Sequence, residues 1–248
     1  MANKPNCYGI IPARYDSTRF PGKPLADILG KPMFWHVYSR ARKCPDISEV
    51  YLATDDERIA EAAKSLAVPV VLTRSDHPSG TDRVFEAATK LNINVDDVVI
   101  NIQGDEPVLN PLMLTELIRP FADPNIQVTT PVRPIDPESA NRPDRVKVVF
   151  SPQKEALYFS RARIPYPREA GFEKFYGHIG MYAFRMAALA EFVSLPPGRI
   201  ETIEKLEQLR LLENRIPVHV VITEHESLSV DRPEDLETVI SYLARIQG

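Results

Sequence analysis

Residues 97–107 read DVVINIQGDEP, and they decide the fold. Val98, Val99, Ile100 and Ile102 make a short apolar run, and the chain turns polar abruptly at Gln103. Such a run is the signature of a strand covered on both faces. Open α/β sheets bind ligands beyond the carboxyl ends of their strands, where Asp105 would stand. The stretch therefore predicts a buried strand over 97–103 with chemistry just past it.

The same pattern recurs upstream. Residues 8–11 form a short apolar run ending at Pro12, and Met33, Val37 and Ala41 then fall four apart in a helix predicted over 33–43. A strand over 50–53 stops at Thr54-Asp55-Asp56, a natural helix start, and an Ala-rich helix follows over 57–67. Strand 68–72 and helix 82–91 complete the series. Alternation of this kind implies βαβ units and a parallel sheet with helices on both faces. The second half is less regular. Strands are predicted at 127–132, 147–150, 157–160, 178–184 and 218–222. A helix is predicted at 203–213, with Ile203, Leu206, Leu209 and Leu212 on one stripe, and another at 233–246. One α/β domain spanning 1–248, with a less regular insertion, fits better than two equal domains.

Bulk properties narrow the function. Apolar residues make up 44%, enough for a sizeable core, and the net charge of −4 argues against a dedicated nucleic-acid binder. A local cationic pocket remains compatible with that charge. The two cysteines, Cys7 and Cys44, have no metal-type spacing and imply no disulfide framework. No run approaches the roughly 20 apolar residues that span a bilayer. The first residues, MANKPNCYG, lack the apolar run of a signal peptide, so the expectation is a soluble cytoplasmic protein.

Each polar loop falls after a strand. The first, IPARYDSTRFPGKP (11–24), carries Arg14, Arg19 and Lys23 among Gly22 and three prolines. Such cations neutralise phosphate oxygens, Gly22 permits close backbone approach, and proline stiffens the loop. A solvated basic loop is the other reading. Neither GxxxxGK[ST] nor GxGxxG occurs, which disfavours the common P-loop and dinucleotide folds. The loop TRSDHPSGTD (73–82) follows the third strand, and QGDEP (103–107) the fourth. Asp105 suits Mg²⁺, which takes oxygen ligands, keeps waters and bridges phosphates. Asp231, in SVDRP, is its leading partner or else a plain N-cap of the last helix.

Seven stretches together carry a resemblance: IPARYDSTRFPGKPL, TRSDHPSGTDR, VVINIQGDEP, ALYFSRARIPY, HIGMYAF, EKLEQLR and SVDRPEDLE. In this order they resemble the bacterial 3-deoxy-manno-octulosonate cytidylyltransferases, or CMP-Kdo synthetases, over nearly the whole chain. The resemblance implies a single nucleotidyltransferase domain (Rossmann-like, GT-A-like), with a mixed, mainly parallel central sheet. It also implies a smaller dimerisation insertion at about 127–175. The implied reaction transfers CMP from CTP to the anomeric 2-hydroxyl of Kdo, releasing pyrophosphate, for lipopolysaccharide synthesis and with Mg²⁺ as cofactor.

Site roles follow from the same resemblance. Arg14, Arg19 and Lys23 would hold the triphosphate, with Arg19 also serving the sugar. Arg74, Ser79 and Gly80 would contact base and ribose, and Asp105 and Asp231 would hold Mg²⁺. Asp105, Asp231, Lys23 and Arg14 form the implied catalytic set. Gln103, Arg161, His178, Tyr182, Glu207 and Gln208 match sugar-site positions, with Arg161 on the Kdo carboxylate and Arg163 the weaker candidate. A Ser-Gly turn, a structural histidine and a solvated helix face are the plainer readings of Ser79-Gly80, His178 and Glu207-Gln208. Asp16 and Arg232 depart from the family pattern and leave the finer substrate preference open. Implied partners are CTP, Kdo and a second copy of the chain, with no nucleic acid and no membrane. The same transfer onto 8-amino-8-deoxy-Kdo is the alternative. CMP-sialate synthesis shares the chemistry, but QGDEP and EKLEQLR look more like the Kdo branch. A nucleotide-binding module without turnover would have lost the cations or carboxylates that are present here.

Overall fold

The apolar run at Cys7–Ala13 forms β1, buried along its length except where Tyr8 and Pro12 come partly to the surface. The computed structural model describes residues 5–17, 20–169, 171, 174–226 and 228–247. After β1 come a small ribbon, β2 (Asp27–Ile28) and β3 (Lys31–Pro32), then α1 (Met33–Ala41), β4 (Glu49–Thr54) and α2 (Glu57–Ser65). Next are β5 (Val70–Leu72), α3 (Gly80–Lys90) and β6 (Val98–Asn101). The strands lie in the order β5-β4-β1-β6, all parallel, as the βαβ pattern requires. Their carboxyl ends therefore deliver the loops after residues 13, 54, 72 and 101 to one edge.

The second half extends this sheet. Its elements are α4 (Pro111–Ile118), β7 (Val128–Ile135), α5 (Pro137–Ala140), β8 (Lys147–Phe150), β9 (Ala156–Ser160), β10 (Phe175–His178) and β11 (Tyr182–Arg185). Then follow α6 (Met186–Ser194), α7 (Arg199–Glu204), α8 (Leu209–Glu213), β12 (Val218–Ile222) and α9 (Asp235–Gln247). Strand β11 lies antiparallel between β6 and β7, and β12 runs parallel to β7. Beyond β10, which pairs antiparallel with β7, the β8-β9 hairpin closes the sheet. The result is mixed but mainly one-directional: β1, β4, β5, β6, β7, β8 and β12 run one way, β9, β10 and β11 the other.

Two cores sandwich the sheet. Phe34 and Val37 of α1, Ile59 and Ala63 of α2, and Leu114 and Leu117 of α4 pack on one face. Val84 and Ala87 of α3, Leu189 and Phe192 of α6, and Leu209 of α8 pack on the other. A third, small core joins Val239 and Leu243 of α9 to Val230, Ile28 and Met33. It anchors the chain around 230 beside the loop that follows β1.

Three expectations need correction. The helix expected over 203–213 is broken into α7 and α8 at Lys205, whose φ of 54° is left-handed. Arg161 satisfies the carbonyls left over at the end of α7, its Nε donating to Glu204 O (2.8 Å) and its Nη2 to Lys205 O (3.3 Å). Ile203, meant for the buried stripe, is 70% exposed. The strand expected over 178–184 is likewise interrupted, between β10 and β11. The last helix starts at Asp235, so Asp231 is not its N-cap. Instead the Asp235 carboxylate accepts from the backbone N–H groups of Asp231 and Arg232, each at 2.8 Å. Helices α4 and α6 were not foreseen, because proline opens the first and nearly unbroken apolar sequence hides the period of the second.

Candidate active site

The loop after β1 folds back on itself. Gly22 donates its N–H to Tyr15 O (2.8 Å) with φ at 72°, a conformation suited to glycine. The Tyr15 ring lies 3.3 Å from the Arg58 guanidinium, which stiffens the loop from the α2 side. Lys23 then points to the sheet edge, where its Nζ donates to Asp105 Oδ2 (2.7 Å) and Val230 O (2.9 Å). Val230 N–H donates to Asp105 O (2.9 Å), so three distant segments are tied at one point, with Asp231 next in sequence. Gly104 is needed here because a Cβ would stand 2.8 Å from Pro12 O. Arg14 is exposed at the start of the same loop, as are Asp16, Asp231 and Arg232, while Arg19 lies outside the described residues.

The donor set at this edge is a pair of carboxylate residues, not a cage. Among the described residues, no three His, Cys, Asp or Glu side chains gather as a metal site. The Asp105 carboxylate at an open edge, with Asp231 following Val230 in sequence, fits Mg²⁺, which keeps several waters and fills its sphere with substrate phosphate.

The loop after β5 is held from below. Arg83, 4% exposed, donates from Nη1 to Thr73 Oγ1 (2.6 Å) and pairs with Asp55 Oδ1 (2.8 Å). It thereby fixes the ends of β4 and β5 to α3. Burial works to raise the Glu86 pKa, but bonds from Lys90, the Arg74 N–H and His77 hold it down at about 2. Glu86 thus pins the loop as an anion. Arg74 presents an exposed side chain whose Nε reaches Asp76 Oδ1 (3.2 Å). Ser79 caps α3, accepting from Asp82 N–H (3.2 Å), and a Cβ on Gly80 would stand 3.5 Å from the Pro12 ring. The amino end of α3 therefore faces the same edge as Lys23 and Asp105.

A second cluster occupies the α3 face of the sheet. His178 and Tyr182 flank the interruption between β10 and β11, their rings 5.4 Å apart. Burial lowers the His178 pKa to about 3, so the ring is neutral. Thr130 Oγ1 donates to Met181 O (2.8 Å) and so accepts from His178 Nε2 (2.9 Å), which must carry the proton. Gln103 Nε2 bonds Gly180 O (2.8 Å), linking the loop after β6 to this interruption. Glu207 and Gln208 lie in the break between α7 and α8. Burial raises the Glu207 pKa, and the Ser79 and Thr81 hydroxyls offset part of that rise. Burial also pushes the Tyr182 phenol well up, with the Glu207 charge adding to it.

The candidates do not all stand alike. Lys23 pairs with Asp105, Gln103 reaches Gly180 O, the Ser79 and Thr81 hydroxyls act on Glu207, and His178 and Tyr182 share a ring contact. Arg161 is occupied with the carbonyls of Pro143, Glu204 and Lys205, so it shapes the bend that presents Glu207. Arg163 stacks on Phe175 at 4.6 Å. Sequence reasoning missed Arg83 and Lys147, and it named Asp55 only within the polar stretch Thr54-Asp55-Asp56 after the second strand. Lys147 is wholly buried and donates to the carbonyls of Arg142 (2.8 Å) and Arg161 (2.6 Å). Its position in an apolar strand, KVVF, gave no cue; Arg83 could have been suspected from its place in SGTDR. A cavity of about 1380 Å³ lies at the opposite, amino end of the strands, lined by Asn6, Asp97 and Arg185, all away from these groups.

The cytidylyltransferase family model matches residues 8–222. The chain is 60% identical to a 3-deoxy-manno-octulosonate cytidylyltransferase from Oleidesulfovibrio alaskensis, covering 98% of both proteins. It is 57% identical to the enzyme of that name from Nitratidesulfovibrio vulgaris, covering 100% of both. Among solved structures it resembles a CMP:2-keto-3-deoxy-manno-octonic acid synthetase complexed with CTP. The TM-score is 0.92 at 41% identity, over 97% of this chain and 99% of that one.

Proposed function

The chain belongs to the 3-deoxy-manno-octulosonate cytidylyltransferase family, and from that membership we propose how its own residues carry the reaction. The protein transfers CMP from CTP to the anomeric 2-hydroxyl of Kdo and releases pyrophosphate. The hydroxyl oxygen attacks the α-phosphorus as the bond to the bridging β-phosphate oxygen breaks, and the hydroxyl proton leaves. The observation that carries this reading is Lys23, held between Asp105 and Val230 at the carboxyl edge of the sheet.

Lys23 and Arg14 neutralise the triphosphate and the departing pyrophosphate, which is where charge stabilisation lowers the barrier most. Asp105 and Asp231 would hold Mg²⁺, which when bound would supply charge neutralisation at the α-phosphate and a lower pKa for the attacking hydroxyl. Ser79 and Gly80, at the amino end of α3, take the ribose and base, with Arg74 above them. Gln103, His178, Tyr182, Glu207 and Gln208 read the sugar hydroxyls, with neutral His178, its Nε2 proton held by Thr130, offering Nδ1 as a fixed acceptor. The Kdo carboxylate meets the edge of the Arg161 guanidinium. The chain works as a homodimer joined through the region of 127–175, where Leu157 and Tyr166 are 62% and 86% exposed. Its place is the cytoplasmic supply of precursor for lipopolysaccharide. No helix among the described residues is long and apolar enough to cross a membrane.

Pyrophosphate release with CTP and Mg²⁺ tests the reading, comparing Kdo, 8-amino-8-deoxy-Kdo and N-acetylneuraminate. Kdo is expected to be used best. Preference for the amino sugar would keep the mechanism and reassign the acceptor, and silence with all three would overturn it.

A further inference from the structure

Thr81, the second residue of α3, is 3% exposed and stands between two partners. Its Oγ1 donates to Glu207 Oε2 (2.8 Å) and receives Asn101 Nδ2 (3.2 Å). A hydroxyl has one proton. Because the Asn101 amide nitrogen can only donate, the single Thr81 proton is committed to Glu207. The chain of bonds thus has one direction, from β6 through α3 to the bend between α7 and α8. Glu207 Oε1 is left buried with no hydrogen bond of good geometry, because the nearby Ser79 hydroxyl donates to Asp82 Oδ2 (2.6 Å). A buried acceptor left without its bond is destabilising. A donor from outside the protein is the natural remedy, and a sugar hydroxyl is such a donor.

We propose that Thr81 is a positioning residue for the transfer reaction, backed by Asn101, and that it turns Glu207 so that Oε1 faces a hydroxyl of the acceptor sugar. The proposal rests on the reading of Glu207 as a sugar contact. Thr81 follows Ser79 and Gly80 directly, so one helix end serves both substrates. Its backbone neighbours hold the nucleotide while its side chain aims the sugar contact.

The test compares Thr81→Val, which keeps the shape and removes the hydroxyl, with Thr81→Ser, which keeps the hydroxyl. Thr81→Val is expected to raise KM for Kdo about tenfold, the upper worth of one buried hydrogen bond. The Kd for CTP should stay within about twofold, because the Thr81 side chain points to Glu207 and Asn101 rather than to the nucleotide contacts at Ser79 and Gly80. Thr81→Ser should restore most of the loss, and adding Thr81→Val to Glu207→Gln should change KM for Kdo little further. Thermal unfolding and CTP binding verify the fold. If Thr81→Val does not fold, Thr81→Ala is judged by the same criteria. An unchanged KM for Kdo in Thr81→Val, an equal loss in Thr81→Ser, or equal losses for CTP and Kdo would each overturn the proposal. Wild-type protein that transfers CMP to Kdo keeps the functional reading standing in all those cases; wild-type protein that does not would remove both.

Discussion

The two ends of the proposed site solve opposite problems. At the phosphate end, Lys23 and Asp105 meet as an ion pair with side chains 17% and 30% exposed, and the exposed Arg14 and Asp231 stand nearby in sequence. At the sugar end, His178 is neutral, Tyr182 and Gln208 are buried, and Glu207 is pushed toward its neutral form by burial. A polyanion is recognised by charge, and charge must remain near water to avoid a large desolvation penalty. Hydroxyls are recognised by hydrogen bonds, which are worth more and discriminate better where water is excluded. The difference shows that one sheet edge can hold both kinds of pocket when different elements carry them. The paired charges Lys23 and Asp105 sit on the loops after β1 and β6, and the hydroxyl readers on breaks in β10-β11 and α7-α8.

Disabling the charged end should have the largest effect. Asp105→Asn is expected to lower kcat by about a thousandfold or more, the scale of lost charge stabilisation at a reacting phosphate. Its Tm should move by no more than about 4 °C, the shift from roughly 1 kcal/mol in a chain of this size. Near-normal turnover in the folded variant would remove Asp105 from the metal assignment. Lys23→Met comes next, with kcat/KM for CTP reduced about a hundredfold through a lost charge-assisted contact. Glu207→Gln should be milder and fall on the other substrate, raising KM for Kdo about tenfold.

Two smaller effects concern pH. The folded pKa of His178, about 3, lies below the ordinary 6.5. Between those values the unfolded chain binds the proton and the folded one does not, so stability falls as pH drops below 6.5. Titration by NMR should show the ring neutral from pH 8 down to about 5; a ring titrating near 6.5 would contradict its buried role. Glu86 has a folded pKa of about 2 against 4.5, so its contribution is present above 4.5 and fades as pH falls toward 2. Glu86→Gln should weaken acid dependence and raise KM for CTP about threefold, the smallest effect expected, since neutralising one loop contact costs under roughly 1 kcal/mol.

Much of the charged end was legible because its logic is local. An apolar run such as DVVINIQ ends, a polar loop begins, and the parallel order β5-β4-β1-β6 follows from the alternation of elements. The neutral end was legible only by resemblance. Ile203–Glu213 carries a sound helical stripe, yet Lys205 takes a left-handed conformation and Arg161 holds the break open from β9. Local periodicity cannot foresee a distant guanidinium. Lys147 and Arg83 were hidden for the same reason: each is a buried cation whose partners come from segments remote in sequence or from backbone carbonyls. Local rules thus failed where Glu207 is presented, as expected where function overrides propensity.

CTP titration in the presence of Mg²⁺, on wild type, Lys23→Met and Glu207→Gln, with KM for Kdo measured on the same proteins, tests the division of labour most directly. The predicted result is a split. Lys23→Met loses most of its CTP affinity, whereas Glu207→Gln binds CTP like wild type and fails only toward Kdo. Equal loss of CTP in both variants would contradict the separation of a charged nucleotide end from a neutral sugar end.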